Sequence, residues 1–161
     1  MTESRHAGTP EDRLAHLGIT LPPPSKPAAN YITSRRAGDL LYIAGQVPFV
    51  DGELTITGKL GDGVTLEQGQ EQARIATLNA LSIGAAANGG LSGLAVAQLM
   101  VFVASTPTFI EQHIVANGAS DLLVDIFGAA GQHPRTAIAV PCLPLDAPVE
   151  IQVIFFVADH Q

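Results

Sequence analysis

The sequence predicts an α+β domain, a mixed β-sheet with two helices packed on one face, and three observations carry that prediction. β-type and helical patterns follow one another in the order β-β-(β)-α-β-α-β-β, so hairpins interrupt strict β-α alternation. A long helix is bounded at both ends, by the capping box Thr65-Leu66-Glu67-Gln68 and the stop Asn88-Gly89-Gly90. The main strands are apolar on both sides, so the sheet face away from the helices calls for cover by another subunit.

Residues 1–29 read as an N-terminal arm and 30–161 as one domain. In the arm, Thr9 to Gly18 has the form of a short helix, with Pro10 at its first position, an acidic first turn and a glycine stop. Leu21 to Pro27 is a proline-rich extended spacer. Asn30 to Arg36 and Leu40 to Ala44 form two strands joined by a hairpin turn at Arg36-Ala37-Gly38-Asp39, the second a central strand. Gly45-Gln46-Val47-Pro48 ends it, because proline donates no ladder hydrogen bond. Phe49 to Gly63 is a loop with one weak strand, Glu53 to Thr57.

The capped helix then runs to about Ala87, with Leu66, Ala73, Ala76, Leu78, Ala80, Leu81 and Ile83 as its apolar stripe. Leu94 to Ala104 is a buried strand. Pro107 opens a second helical region, Phe109 to Val115 and Ser120 to Phe127, with a break at Asn117-Gly118. Arg135 to Val140 and Val149 to Ala158 are the last strands.

Composition excludes several function classes. A chain of 161 residues with 47% hydrophobic residues is long and apolar enough to fold around a core. A net charge of −7 provides no field to gather phosphates, so nucleic acid is not an expected partner. The histidines have no metal-ligand spacing and there is no phosphate-binding glycine loop, so no metal and no cofactor is expected. The single cysteine, Cys142, reads as an inert buried thiol. No apolar run of signal-peptide or membrane-spanning length stands out, so the expectation is a soluble cytoplasmic protein with no membrane partner.

Arg135 and Glu150 remain, with Tyr31, Gln46 and His133 as helpers. An arginine at the head of an apolar strand needs an anion, and it binds a carboxylate bidentately, which suggests a small organic acid. A glutamate in a cleft holds and polarises water. The same two residues could equally face each other across a hairpin as a structural ion pair.

The stretch His133 to Ile151, with Gly45-Gln46-Val47-Pro48 upstream, resembles the Rid/YjgF family, also labelled endoribonuclease L-PSP or translation-initiation-inhibitor-like. The likeness covers roughly residues 30–158. The late motif stands as Arg135-Thr136, an apolar strand to Val140, Leu143-Pro144 and Val149-Glu150-Ile151. The resemblance implies a chorismate-mutase-like fold and a homotrimer whose sheets pack as a central barrel with a cleft at each subunit interface. It implies hydrolytic deamination of reactive 2-imino or enamino acids to 2-keto acids and ammonia, without cofactor or metal.

On this resemblance Arg135 clamps the substrate carboxylate and Glu150 orients the attacking water. Tyr31 and Asn117 line the pocket, and the Ala137 backbone bonds the imine or water. Ala137 stands where the family often has cysteine, and Ala44 where it often has serine. Two other readings stay open: a non-catalytic, regulatory trimer that binds small carboxylates, and RNA cleavage of the endoribonuclease type, which the charge disfavours.

Overall fold

The structure, a computed structural model, describes residues 8–158. Helix α1 (Pro10–His16) begins on a reciprocal box in which Thr9 and Asp12 each satisfy the other's backbone N–H, a device contributing about 1 kcal/mol. The arm is tied along its length to the body. Glu11 accepts from the Leu91 and Ser92 backbone N–H groups and from Ser92 Oγ. Arg13 donates to the Ile126 carbonyl, Ser82 Oγ to the Pro22 carbonyl and Ser25 Oγ to Gln46 Oε1. Leu14 is buried in the core.

Strands β1 (Ser34–Ala37) and β2 (Leu40–Ile43) form the expected hairpin, starting four residues later than the β-type run that begins at Asn30. The single weak strand expected over 53–57 is replaced by two small ladders. β3 (Phe49–Val50) pairs with β4 (Glu53–Leu54), and β5 (Lys59–Leu60) with β6 (Gly63–Val64). The reason lies in Asp51 and Gly52, both at positive φ, which close a two-residue hairpin turn.

Helix α2 (Leu66–Asn88) has the predicted cap at Thr65 and a left-handed Gly89 at its end. Ala73, Ala76, Ala80, Leu81 and Ile83 are buried, and Gly84 admits the ring of Phe155. Strand β7 (Leu94–Ala104) follows the predicted span. The second helical region differs from expectation. It splits into α3 (Gln112–Val115) and α4 (Asn117–Phe127), with the break at Ala116. Asn117-Gly118 therefore starts α4. A Cβ at Gly118 would overlap the Gln70 carbonyl, so this glycine serves close packing of α4 on α2. The stretch 112–131 is apolar and long enough to cross a membrane by composition, but half of it is buried inside this fold.

Strands β8 (Arg135–Val140) and β9 (Val149–Val157) complete a five-stranded sheet of order β1-β2-β9-β7-β8. β7 and β8 are parallel; the other neighbours are antiparallel. Val149, Ile151, Val153, Phe155 and Val157 of β9 and Leu99, Val101 and Val103 of β7 face the helices and are buried. Each large side chain fully buried in that layer contributes about 1.5–3 kcal/mol. The opposite face carries Tyr42, Ile138 and Phe156, all substantially exposed. Cys142 is also exposed, contrary to expectation, because the chain leaves the sheet at Pro141.

Candidate active site

Arg135 opens β8, the edge strand, in register with Leu99, which places its side chain on the helix face of the sheet. There it is held by the crossover between β7 and β8. Nη1 donates to Asn117 Oδ1 at 2.9 Å and to Ser120 Oγ at 3.1 Å, and Nη2 donates to the His113 carbonyl at 2.8 Å. These bonds engage three of the five guanidinium N–H groups. Nε–H and one Nη2–H have no acceptor among the described residues, enough for a forked contact with a carboxylate.

Behind this cluster His133 bridges Ser120 Oγ (3.1 Å, Nε2) and the Gly131 carbonyl (2.5 Å, Nδ1). Leu99 N–H bonds the Pro134 carbonyl and Ser105 N–H the Val140 carbonyl. The alternation of a parallel ladder then turns the Ala137 N–H and C=O toward the open edge of β8, two residues from the arginine. Asn117, His133 and Ala137 thus lie around Arg135. Ser120 and the His113 carbonyl are additions.

Glu150 lies elsewhere. It pairs in register with Phe102, and Phe102 with Ile138, so its side chain is on the open face. Arg135 and Glu150 stand on opposite faces, two strands and three register steps apart, about 14 Å between Cα atoms. The ion pair across a hairpin does not form, because β7 lies between β8 and β9.

Glu150 is half-buried against Gly45, where a Cβ would overlap its Oε1. No hydrogen bond or ion pair partners it among the described residues, and burial raises its pKa above the ordinary glutamate value. Next to it, Gln46 is buried, bridges Ile151 through both backbone groups, and turns its amide to the Ala44 and Gly45 carbonyls and to Ser25. Tyr31 is half-exposed, its hydroxyl accepting from the Ala28 N–H. Among the described residues no group of three or more His, Cys, Asp or Glu could hold a metal ion.

Comparison with known proteins gives a consistent result. A family model described as "YjgF/chorismate_mutase-like, putative endoribonuclease" matches residues 11–159. Protein TCP17 of Trypanosoma cruzi is 43% identical over 143 residues, 88% of this chain and 89% of that protein. A solved structure from Agrobacterium tumefaciens, of a protein with unknown function, is 40% identical with a TM-score of 0.85, covering 94% of this chain and 93% of that one. One from Shewanella oneidensis, named for an endoribonuclease assignment, is 34% identical with a TM-score of 0.90, covering 93% of this chain and all of that one.

Proposed function

Because the chain belongs to the YjgF/chorismate-mutase-like family, we propose that it hydrolyses reactive 2-imino and enamino acids to 2-keto acids and ammonia. The observation that carries this reading is Arg135, fixed by three protein acceptors yet with two N–H donors that have no acceptor among the described residues, beside the open edge of β8. A fork of that kind receives a carboxylate, and the outward Ala137 N–H receives the imine or the attacking oxygen.

Water adds to the C=N carbon while Glu150 orients it and takes one of its protons. That proton passes to nitrogen to give a carbinolamine. Glu150 then takes the hydroxyl proton and returns it to nitrogen as the C–N bond breaks, so ammonia leaves and a carbonyl remains, an enamine first tautomerising to the imine. An imine is already electrophilic, so positioning supplies most of what the step needs. The raised pKa of Glu150 makes it a better base than an ordinary surface carboxylate. The scheme uses no metal or cofactor.

The two groups work together only if they come from different copies. With Arg135 and Glu150 on opposite faces, a homotrimer in which the edge of β8 meets the open face of a neighbour supports a cleft holding one residue from each. The exposed Tyr42, Ile138 and Phe156 on that open face favour such an association. Tyr31 and Gln46 then line the Glu150 side, and Asn117, His133 and Ala137 the Arg135 side. The protein acts on its small-molecule substrate in the cytoplasm.

An amino-acid oxidase generating imino acids in situ, with a trapping agent reporting the residual imine, tests the activity. Faster ammonia release with the protein is expected; rates equal to the protein-free control across several imino acids rule the activity out. A second reading, a regulatory trimer that binds small carboxylates without turnover, draws on the arginine cluster, which is complete without Glu150. RNA cleavage has less support, since the net charge is −7.

A further inference from the structure

We propose that Ser120 and His133 act in series as positioning residues for Arg135, fixing its guanidinium so that the free N–H donors meet the substrate carboxylate. The inference rests on the reading of Arg135 as the carboxylate clamp.

The direction of each hydrogen bond follows from chemistry. The Gly131 carbonyl can only accept, so His133 Nδ1 carries a hydrogen. In the neutral ring Nε2 is then an acceptor, and the Ser120 hydroxyl donates to it. With its hydrogen committed to the ring, Ser120 Oγ presents lone pairs to Arg135 Nη1. Without the ring, that hydroxyl is free to rotate and present its hydrogen toward a cation.

The anchor is rigid. Gly131 is buried, and a Cβ there would overlap the Leu123 carbonyl, so the carbonyl that holds His133 is fixed by close packing on α4. Both ring nitrogens are occupied, so His133 offers the substrate no hydrogen bond and acts on the clamp through Ser120. The pair limits the rotamer freedom that a long exposed arginine otherwise loses on binding.

Pyruvate, a small carboxylate, is the binding probe, with calorimetry for Kd and coupled imino-acid turnover for KM and kcat. Ser120→Ala is expected to raise Kd and KM roughly five-fold while leaving kcat, set on the Glu150 side, nearly unchanged. Ser120→Thr keeps a hydroxyl and restores most of the affinity. His133→Asn retains an amide that reaches Gly131 but has nothing at the Nε2 position, and weakens binding about two- to three-fold. Because the residues act in series, the double variant binds no more weakly than Ser120→Ala alone.

Wild-type affinity in Ser120→Ala, additive losses in the double variant, or a loss confined to kcat overturns the proposal. If Arg135→Ala binds pyruvate as well as the wild type does, or the wild type does not bind it, the clamp reading itself fails and the positioning role with it. Unchanged thermal melting in Ser120→Thr and His133→Asn separates these outcomes from misfolding.

Discussion

The two halves of the candidate site are built on opposite principles. Around Arg135 charge is surrounded by partners: two side chains and a carbonyl accept from it, and a histidine steadies one of them. Around Glu150 charge is stripped of partners: a half-buried carboxylate lies against a glycine with no donor aimed at it among the described residues. The first arrangement holds a permanent cation at constant geometry. The second keeps a titratable group easy to protonate. A group meant to bind gains from fixed hydrogen bonds, while one meant to exchange a proton gains from lacking them.

Removing the cation gives the largest expected effect. Arg135→Ala should lower pyruvate affinity and imino-acid turnover by about 100-fold or more without unfolding the chain, since the guanidinium is exposed and no core packing depends on it. Unfolding instead of clean loss of binding makes the arginine a structural element. Next comes separation of the halves between copies. Arg135→Ala and Glu150→Gln, each inactive alone, should recover about one quarter of wild-type activity when unfolded and reassembled together at equal amounts. No recovery ends the composite reading.

Gly45→Ala is expected to displace Glu150 and lower kcat about ten-fold, with pyruvate Kd unchanged because the arginine half is untouched. A parallel loss of binding erases the division of labour. The smallest effect is on stability. Burial raises the Glu150 pKa in the folded chain, so the folded state prefers the neutral acid and ionisation destabilises it. That destabilisation is absent below the ordinary glutamate value of 4.5 and grows as pH rises through the raised one. Glu150→Gln should therefore raise Tm at neutral pH by about one or two degrees, and the gain should fade in acid. A gain that persists at low pH has a cause other than the charge.

Most of the fold was legible because local signals agreed: the Thr65 and Gly89 caps, the continuous apolar run of β7, and the hairpin at Gly38. Arg135, Glu150, Tyr31, Gln46, Asn117, His133 and Ala137 are read from the sequence as one site, whereas one chain divides them, with Asn117, His133 and Ala137 near Arg135 and Gln46 beside Glu150. Sheet parity was not legible. It depends on β7 inserting between β8 and β9, and no local pattern announces that. Ser120 is hard to see in the sequence because Asn117-Gly118 has the chemistry of a break, whereas it starts α4. The i, i+3 spacing of Asn117 and Ser120 marks one helical face and is the signal that points to it. The seat that Gly45 provides for Glu150 was hidden for a different reason, since an absent side chain signals nothing until its neighbour is known.

The range of sequence from which each half is drawn bears on how the chain folds. Every partner of Arg135 lies within 22 residues of it, inside the single connection from β7 to β8. Glu150 is seated by Gly45, whose neighbour Gln46 bonds Ile151 and Ser25, all but Ile151 more than a hundred positions upstream. Short-range contacts close at small entropic cost and long-range ones at greater cost, so the arginine cluster can assemble as soon as the crossover docks on β8. The glutamate seat waits for the two ends of the chain to meet. Hydrogen exchange under refolding should protect hydrogen-bonded amides within 117–138 before those of Gln46 and Ile151, and a nascent chain should be able to bind a carboxylate before it can turn one over.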